Sequence, residues 1–206
     1  MSSLNDVKFV VKKISSIKEL GEHICFFGGS IPYIYFNQES HREHSDIDVL
    51  IDFEYMDYIR LLLQQNGLYK PELDSLNLNL GDDYGLKVFI DGIYVEFEPM
   101  IIEDGFFIRK SFSPTKEVAG VEQIPYEQLE DLITRIDIDG IKTFCQSMEM
   151  IKVSKEKYKR DKDLFDINFI DSKGIDFAKY ERVKKSIELS STLTSTYDEL
   201  REKKLR

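Results

Sequence analysis

Leu4, Val7, Val10, Val11, Ile14, Ile17 and Leu20 recur at intervals of three and four, which lays one apolar stripe along an opening helix that Gly21 can terminate. The period then shortens. Residues 24–27 form a brief apolar run stopped by Gly28-Gly29-Ser30, and residues 31–36 are apolar enough for a short buried helix, with Pro32 tolerated in its first turn. Asp46-Ile47-Asp48-Val49-Leu50-Ile51-Asp52 alternates like a strand; Met56, Ile59, Leu62 and Leu63 mark a helix after it, with Gly67 as its C-terminal cap. Two strand–turn–helix units therefore follow one another.

From Leu86 the chain reads Leu-Lys-Val-Phe-Ile, then Asp91-Gly92, then Ile-Tyr-Val-Glu-Phe-Glu, the local signature of a β-hairpin. With Ile90 facing Ile93 across the turn, Val88, Ile90, Ile93, Val95 and Phe97 share one side and leave Glu96 and Glu98 together on the other. A further strand is expected around residues 106–112. From about residue 125 the pattern reads mainly as helix, ending in a polar, lysine-rich tail over 175–206, with neither a repeat nor a long linker. The expected fold class is α+β: a mixed or antiparallel sheet flanked by helices over residues 1–120, followed by a C-terminal helical region over 121–206.

Composition narrows the classes. At 206 residues, 42% apolar and 32% charged with only 5 Pro, the chain can bury a full core without disulfides or structural metal. No apolar run approaches the roughly 18 residues of a membrane span, and the first residues lack the basic and apolar regions of a signal peptide, so no membrane partner and a cytoplasmic location are expected. Cys25 and Cys145 have no metal-type spacing and read as free thiols. The 38 acids against 28 bases give a net charge of −10, which disfavours general binding to nucleic acid. Residues 71–104 carry nine acids and one base, Lys87, a stretch suited to cations; residues 152–162 carry six bases and two acids, a stretch suited to phosphates. Either run can equally be a solvated face.

Asp46 and Asp48 stand two residues apart on an expected strand, so their carboxylates leave the same face about 7 Å apart. Mg²⁺ typically takes one or two carboxylates, substrate phosphates and waters, so paired aspartates imply a polyphosphate partner. Gly28, Gly29 and Ser30 supply a turn without bulky side chains, whose amides and hydroxyl can cradle phosphate. A third carboxylate from the Glu96/Glu98 face can complete a two-metal clamp or take a proton from an attacking hydroxyl. Each element alone is common; their order along one chain is demanding.

That order resembles the nucleotidyltransferase superfamily sharing the DNA polymerase β catalytic fold. Residues 27–30 with Ser40-His41-Arg42-Glu43-His44-Ser45-Asp46-Ile47-Asp48-Val49 are similar to the Arg-x-His-x-Asp-Ile-Asp form of lincosamide and aminoglycoside nucleotidyltransferases. Val95-Glu96-Phe97-Glu98-Pro99-Met100 matches that family's acid strand leading into an apolar-Pro-apolar step, which puts the third acid at Glu96 and Glu98 where histidine is usual. Met150-Ile151-Lys152 with Arg160-Asp161-Lys162-Asp163-Leu164-Phe165-Asp166-Ile167 is similar to a Lys-bearing helix and Lys-Asp-x-x-Asp-Ile sequence of the superfamily. The chain departs from the resistance enzymes in having Ser30 and Tyr33 near a turn they usually follow with Trp, and Glu in place of Asp at the third acid.

The resemblance implies Mg²⁺ held by Asp46, Asp48 and Glu96, an NTP such as ATP gripped by Gly28, Gly29, Ser30, Arg42 and Lys152, and Glu96 as general base. The implied reaction moves a nucleoside monophosphate to a hydroxyl of a small acceptor, for instance a cationic aminoglycoside or a lincosamide, and releases pyrophosphate. Lys152 can as well be a solvent-facing helix lysine. His44 can orient a carboxylate or pack the loop in preference to binding metal with His41, and Tyr33, Tyr35, Tyr84 and Tyr94 can line a pocket or belong to the core. Two other readings stand beside the first: a toxin-type nucleotidyltransferase acting on protein or RNA, and a nucleotide-binding module without turnover.

Overall fold

A computed structural model describes residues 3–40, 42–44, 46–69, 85–103, 105–112 and 119–193. The His41 of the His-x-x-His spacing, Tyr84, the acidic residues of 71–84, Asp104 and the tail beyond 193 lie outside the described residues.

Helix α1 (Leu4–Ser15) opens on a reciprocal cap, with Asp6 N–H donating to Ser3 Oγ at 3.2 Å and Ser3 N–H donating to the Asp6 carboxylate at 2.8 Å. Its stripe buries Val7, Val10, Val11 and Ile14. The helix stops well before Gly21. Ser15 and Ser16 turn their hydroxyls back onto the Val11 and Lys12 carbonyls, competing with the helical ladder; Ile17 and Leu20 then reach the core from a turn.

Strand β1 (Ile24–Phe27), helix α2 (Ile31–Tyr35), strand β2 (Asp46–Asp52) and helix α3 (Ile59–Gln65) follow, as the two strand–turn–helix units require. Strands β3 (Leu86–Ile90) and β4 (Ile93–Glu103) form the hairpin in the expected register, Ile90 opposite Ile93 and Val88 opposite Val95. Asp91 and Gly92 both carry positive φ, the backbone that this two-residue turn demands. Strand β5 (Phe106–Phe112) pairs with β4 and with β6 (Ala119–Pro125).

Residues after 125 do not begin as helix. Strands β7 (Ile133–Ile138) and β8 (Ile141–Gln146) form a second hairpin around Asp139-Gly140, and β8 lies parallel to β1. The turn has the same Asp-Gly chemistry as residues 91–92, with φ of 53° and 89°; alternation in Ile133, Ile136 and Ile138 is imperfect and hides the strand from a periodicity reading. Helices begin only with α4 (Met148–Tyr158), α5 (Asp161–Lys173) and α6 (Phe177–Glu188). Strand β9 (Ser191–Leu193) closes a sheet ordered β7-β8-β1-β2-β4-β5-β6-β9, with β3 on the β5 side of β4.

The sheet has two unlike faces. Phe26, Ile47, Val49, Ile51, Val88, Val95 and Phe97 pack with the α1 stripe. On the other face Cys25, Leu50, Met100, Phe107 and Ile124 pack with Met150 and Val153 of α4 and Val183 of α6. Alternation along β2 and β4 therefore sends Asp46, Asp48, Glu96 and Glu98 to the second face, beside the C-terminal helices.

Candidate active site

β2 and β4 run parallel in a register that pairs Asp46 with Tyr94, Asp48 with Glu96 and Leu50 with Glu98. Asp48 and Glu96 are thus direct neighbours across strands spaced about 4.8 Å apart. Burial, then the charges of Asp46 and Glu96, push the Asp48 carboxyl up to about 7, while Lys162 and Lys155 pull it back. Burial first and two neighbouring carboxylates second disfavour the Asp48 anion, and a bound cation would offset both.

The glycine turn is shaped around this carboxylate. Gly28 has φ of +89°, and a Cβ there would collide with Asp48 Oδ2. At Gly29 a Cβ would collide with the Arg42 guanidinium and come within 3.0 Å of Asp166 Oδ2. Each glycine leaves room for one charged group, Asp48 inside the turn and Arg42 behind it. Ser30 is buried at the start of α2, where its side chain makes no capping bond.

Arg42 does not face the turn as a free cation. Its Nε and Nη2 donate to Asp166 at 2.9 and 2.7 Å, and Nη1 donates to the Glu43 carbonyl at 3.1 Å. Asp166 also accepts from Tyr33 Oη at 3.1 Å and pairs with Lys155 at 2.7 Å. Lys155 bridges onward to Asp163 at 3.3 Å, whose other partner is Arg160. Arg42 and Lys155 hold Asp166 below the usual carboxylate range against its burial, and burial with the adjacent Asp166 raises the Tyr33 hydroxyl to about 12. His44 is buried, hydrogen-bonded to Ser40 at 2.7 Å and tilted against Tyr33, and burial beside Arg42 lowers it to about 4. It packs the loop.

The structure does not bring Lys152 to this centre. Its ammonium pairs with Glu156 at 2.7 Å and Asp171 at 3.2 Å and lies over the Tyr180 ring. Lys155, one helical turn on, is the α4 lysine whose charge reaches Asp48, together with Lys162 of α5. The basic run over 152–162 is largely spent on internal pairs, Lys157 joining Glu122 at 3.3 Å. Lys155 has no signal in the sequence beyond the basic run, whereas Asp163 and Asp166 are the two acids of the Lys-Asp-x-x-Asp-Ile resemblance, their i, i+3 spacing placing them on one helix face.

Glu96 is held by two lysines, Lys110 at 3.1 Å and Lys87 at 3.3 Å, and Lys110 also reaches Glu98 at 3.7 Å. Glu98 is buried and its carboxyl is pushed well up by desolvation, with Lys110 opposing. Among the described residues no group of three His, Cys, Asp or Glu is arranged to hold a metal ion. Glu96, expected as a third metal ligand, has its oxygens turned to the Lys87 and Lys110 ammonium groups. Asp46, exposed, and Asp48 remain a pair that fits a cation completed by phosphate and water. Tyr94 stands half-buried on this face, Tyr33 is core, and Tyr35 is partly exposed against Phe36. No described helix is long and apolar enough to cross a membrane.

In fold, a mixed sheet flanked by helices, the chain is similar to solved antibiotic nucleotidyltransferases. Among solved structures the chain is similar to the antibiotic-resistance factor ANT(2'')-Ia in solution, at 16% identity and a TM-score of 0.56 over 91% of this chain and 93% of that one. It is similar to the same enzyme in complex with adenylyl-2''-tobramycin, at 16% identity, a TM-score of 0.55, and 89% and 97% of the two chains. The lincosamide antibiotic adenylyltransferase LnuA, lincomycin-bound, gives 18% identity and a TM-score of 0.54 over 83% and 99%. No protein-family model and no curated protein matches the sequence.

Proposed function

We propose that the protein is a Mg²⁺-dependent nucleotidyltransferase that moves a nucleoside monophosphate from an NTP, ATP in the first instance, to a hydroxyl of a small acceptor and releases pyrophosphate. One observation carries the reading: Asp48, backed onto the glycine turn, lies in register with Glu96 and shares its face with Asp46. The neighbours support it, one holding an adenylylated aminoglycoside and one a lincosamide.

In this reading Asp46 and Asp48 hold Mg²⁺, which supplies charge to offset the triphosphate and the developing oxyanions. The amides of Gly28 and Gly29 and the Ser30 hydroxyl bind the outer phosphates. Arg42 does so at second hand, by fixing the loop behind Gly29. Glu96 accepts the proton of the acceptor hydroxyl as it attacks the α-phosphorus in line, and its two lysines orient the carboxylate. Lys155 and Lys162 add positive potential from the helices. The test is incubation with each α-labelled NTP, Mg²⁺ and a panel of hydroxylated compounds, with Glu96→Gln as control. Label moving to an acceptor in the wild type and not in the variant is the expected result; no transfer with any nucleotide would refute it.

A further inference from the structure

We infer that the outer face of the β3–β4 hairpin is the acceptor platform, and that it selects a neutral or anionic hydroxylated ring compound over a polycation. The inference rests on the transferase reading and fixes its substrate class.

The register builds two rows across three strands. One runs Asp46, Tyr94, Phe89; the next runs Asp48, Glu96, Lys87. The first row ends in an aromatic pair whose rings meet edge to face at 5.5 Å, and Phe89 is 54% exposed. An exposed phenylalanine one residue from the end of β3, on the face that carries the acids, offers a flat apolar surface to a ring. The second row places the general base next to that surface. Lys87 joins the rows, 3.3 Å from Glu96 and 6.0 Å over the Tyr94 ring.

Charge decides the class of ring. Glu96 and Glu98 carry the negative charge of β4 on this face, and Lys87 and Lys110 already answer them, while Glu122 farther along on β6 is answered by Arg109 and Lys157. An acceptor carrying several ammonium groups would meet two lysines and would have to displace them from buried or half-buried pairs. A neutral polyol meets no such repulsion, and an anionic group gains from Lys87. The expectation of a cationic acceptor drew on residues 71–104 as a whole; it counted Lys87 but not its pairing with Glu96, and Lys110 lies beyond that stretch.

The experiment uses the full chain and three pools of sugar-sized compounds matched in hydroxyl number: neutral glycosides, glycosides bearing one carboxylate or phosphate, and polyamino glycosides. Binding is read by ligand-observed NMR, which needs no turnover. Neutral or anionic members should bind, Phe89→Ala should weaken them about 3–10-fold without weakening ATP, and Lys87→Glu should shift preference toward amines by more than about tenfold. Preferred binding of the polyamino pool, no binding of the other two, or loss of ATP rather than acceptor in Phe89→Ala would each overturn the inference. Failure of the transferase reading looks different: ring compounds bind at the hairpin, yet no label passes from any NTP to them or to water.

Discussion

Asp166, fully buried on α5, accepts two hydrogen bonds from Arg42, 124 positions earlier in the chain, and a second cation, Lys155, closes on it at 2.7 Å. Removing this carboxylate would strand two cations in a desolvated place. Asp166→Ala should destabilise the fold by about 3 kcal/mol, measured by urea denaturation followed by circular dichroism. Because Arg42 fills the space behind Gly29, nucleotide affinity should fall as well. A variant as stable as the wild type would show that the pair is ornamental.

Asp48 gives a stability profile as well as an activity loss. Its carboxyl titrates near 7 when folded and near 3.8 when unfolded, so between those values the folded state keeps a proton that the unfolded chain has released. Wild-type stability contributed by this group therefore falls as pH rises from about 4 to about 7. Asp48→Asn should be more stable than wild type at pH 8, on the order of 2 kcal/mol, and equal to it near pH 3.5. Transfer should drop about 10³-fold. Mg²⁺ should raise the melting temperature of the wild type at pH 8 and leave that of the variant in place.

His44 has the opposite slope. Folded it titrates near 4 and unfolded near 6.5, so the unfolded chain binds the proton first as pH falls. Its contribution is present above about pH 6.5 and is lost progressively down to about pH 4. Replacing it with Gln should flatten the acid limb of the stability profile while the Asp48 limb persists. An unchanged acid limb would mean that the buried ring is already solvated.

Lys152 and Lys155 separate a pair on the helical flank from the site. Lys155→Ala should weaken ATP binding about tenfold, since it removes positive potential from Asp48 and a partner from Asp166. Lys152→Ala breaks pairs with Glu156 and Asp171 on the helical flank, costing about 1 kcal/mol of stability with ATP affinity held within about twofold. Isothermal titration with Mg·ATP distinguishes them, and the reverse ranking would put Lys152 at the phosphates.

Local rules explain what could be read without coordinates. Alternation with period two placed Glu96 and Glu98 on one face, and Asp91-Gly92 fixed the register that puts Lys87 opposite Glu96. The same rules, applied at residues 125–146, missed a hairpin although Asp139-Gly140 announces one, because the surrounding strands are only partly alternating. They also carried α1 through to Leu20, since an apolar spacing says which residues are buried and not whether a helix or a turn buries them.

The sequence by itself determined the turn Gly28-Gly29, the pair Asp46 and Asp48, the strand bearing Glu96 and the hairpin beside it, all features whose physics acts over a few residues. Only the tertiary structure decided that β2 lies parallel to β4 with Asp48 opposite Glu96, that Lys155 rather than Lys152 reaches the centre, and that Lys87 and Lys110 close on the base. Strand register between distant segments and the docking of helices are set by the burial of whole faces. A long lysine takes its partner from whatever that burial brings within reach.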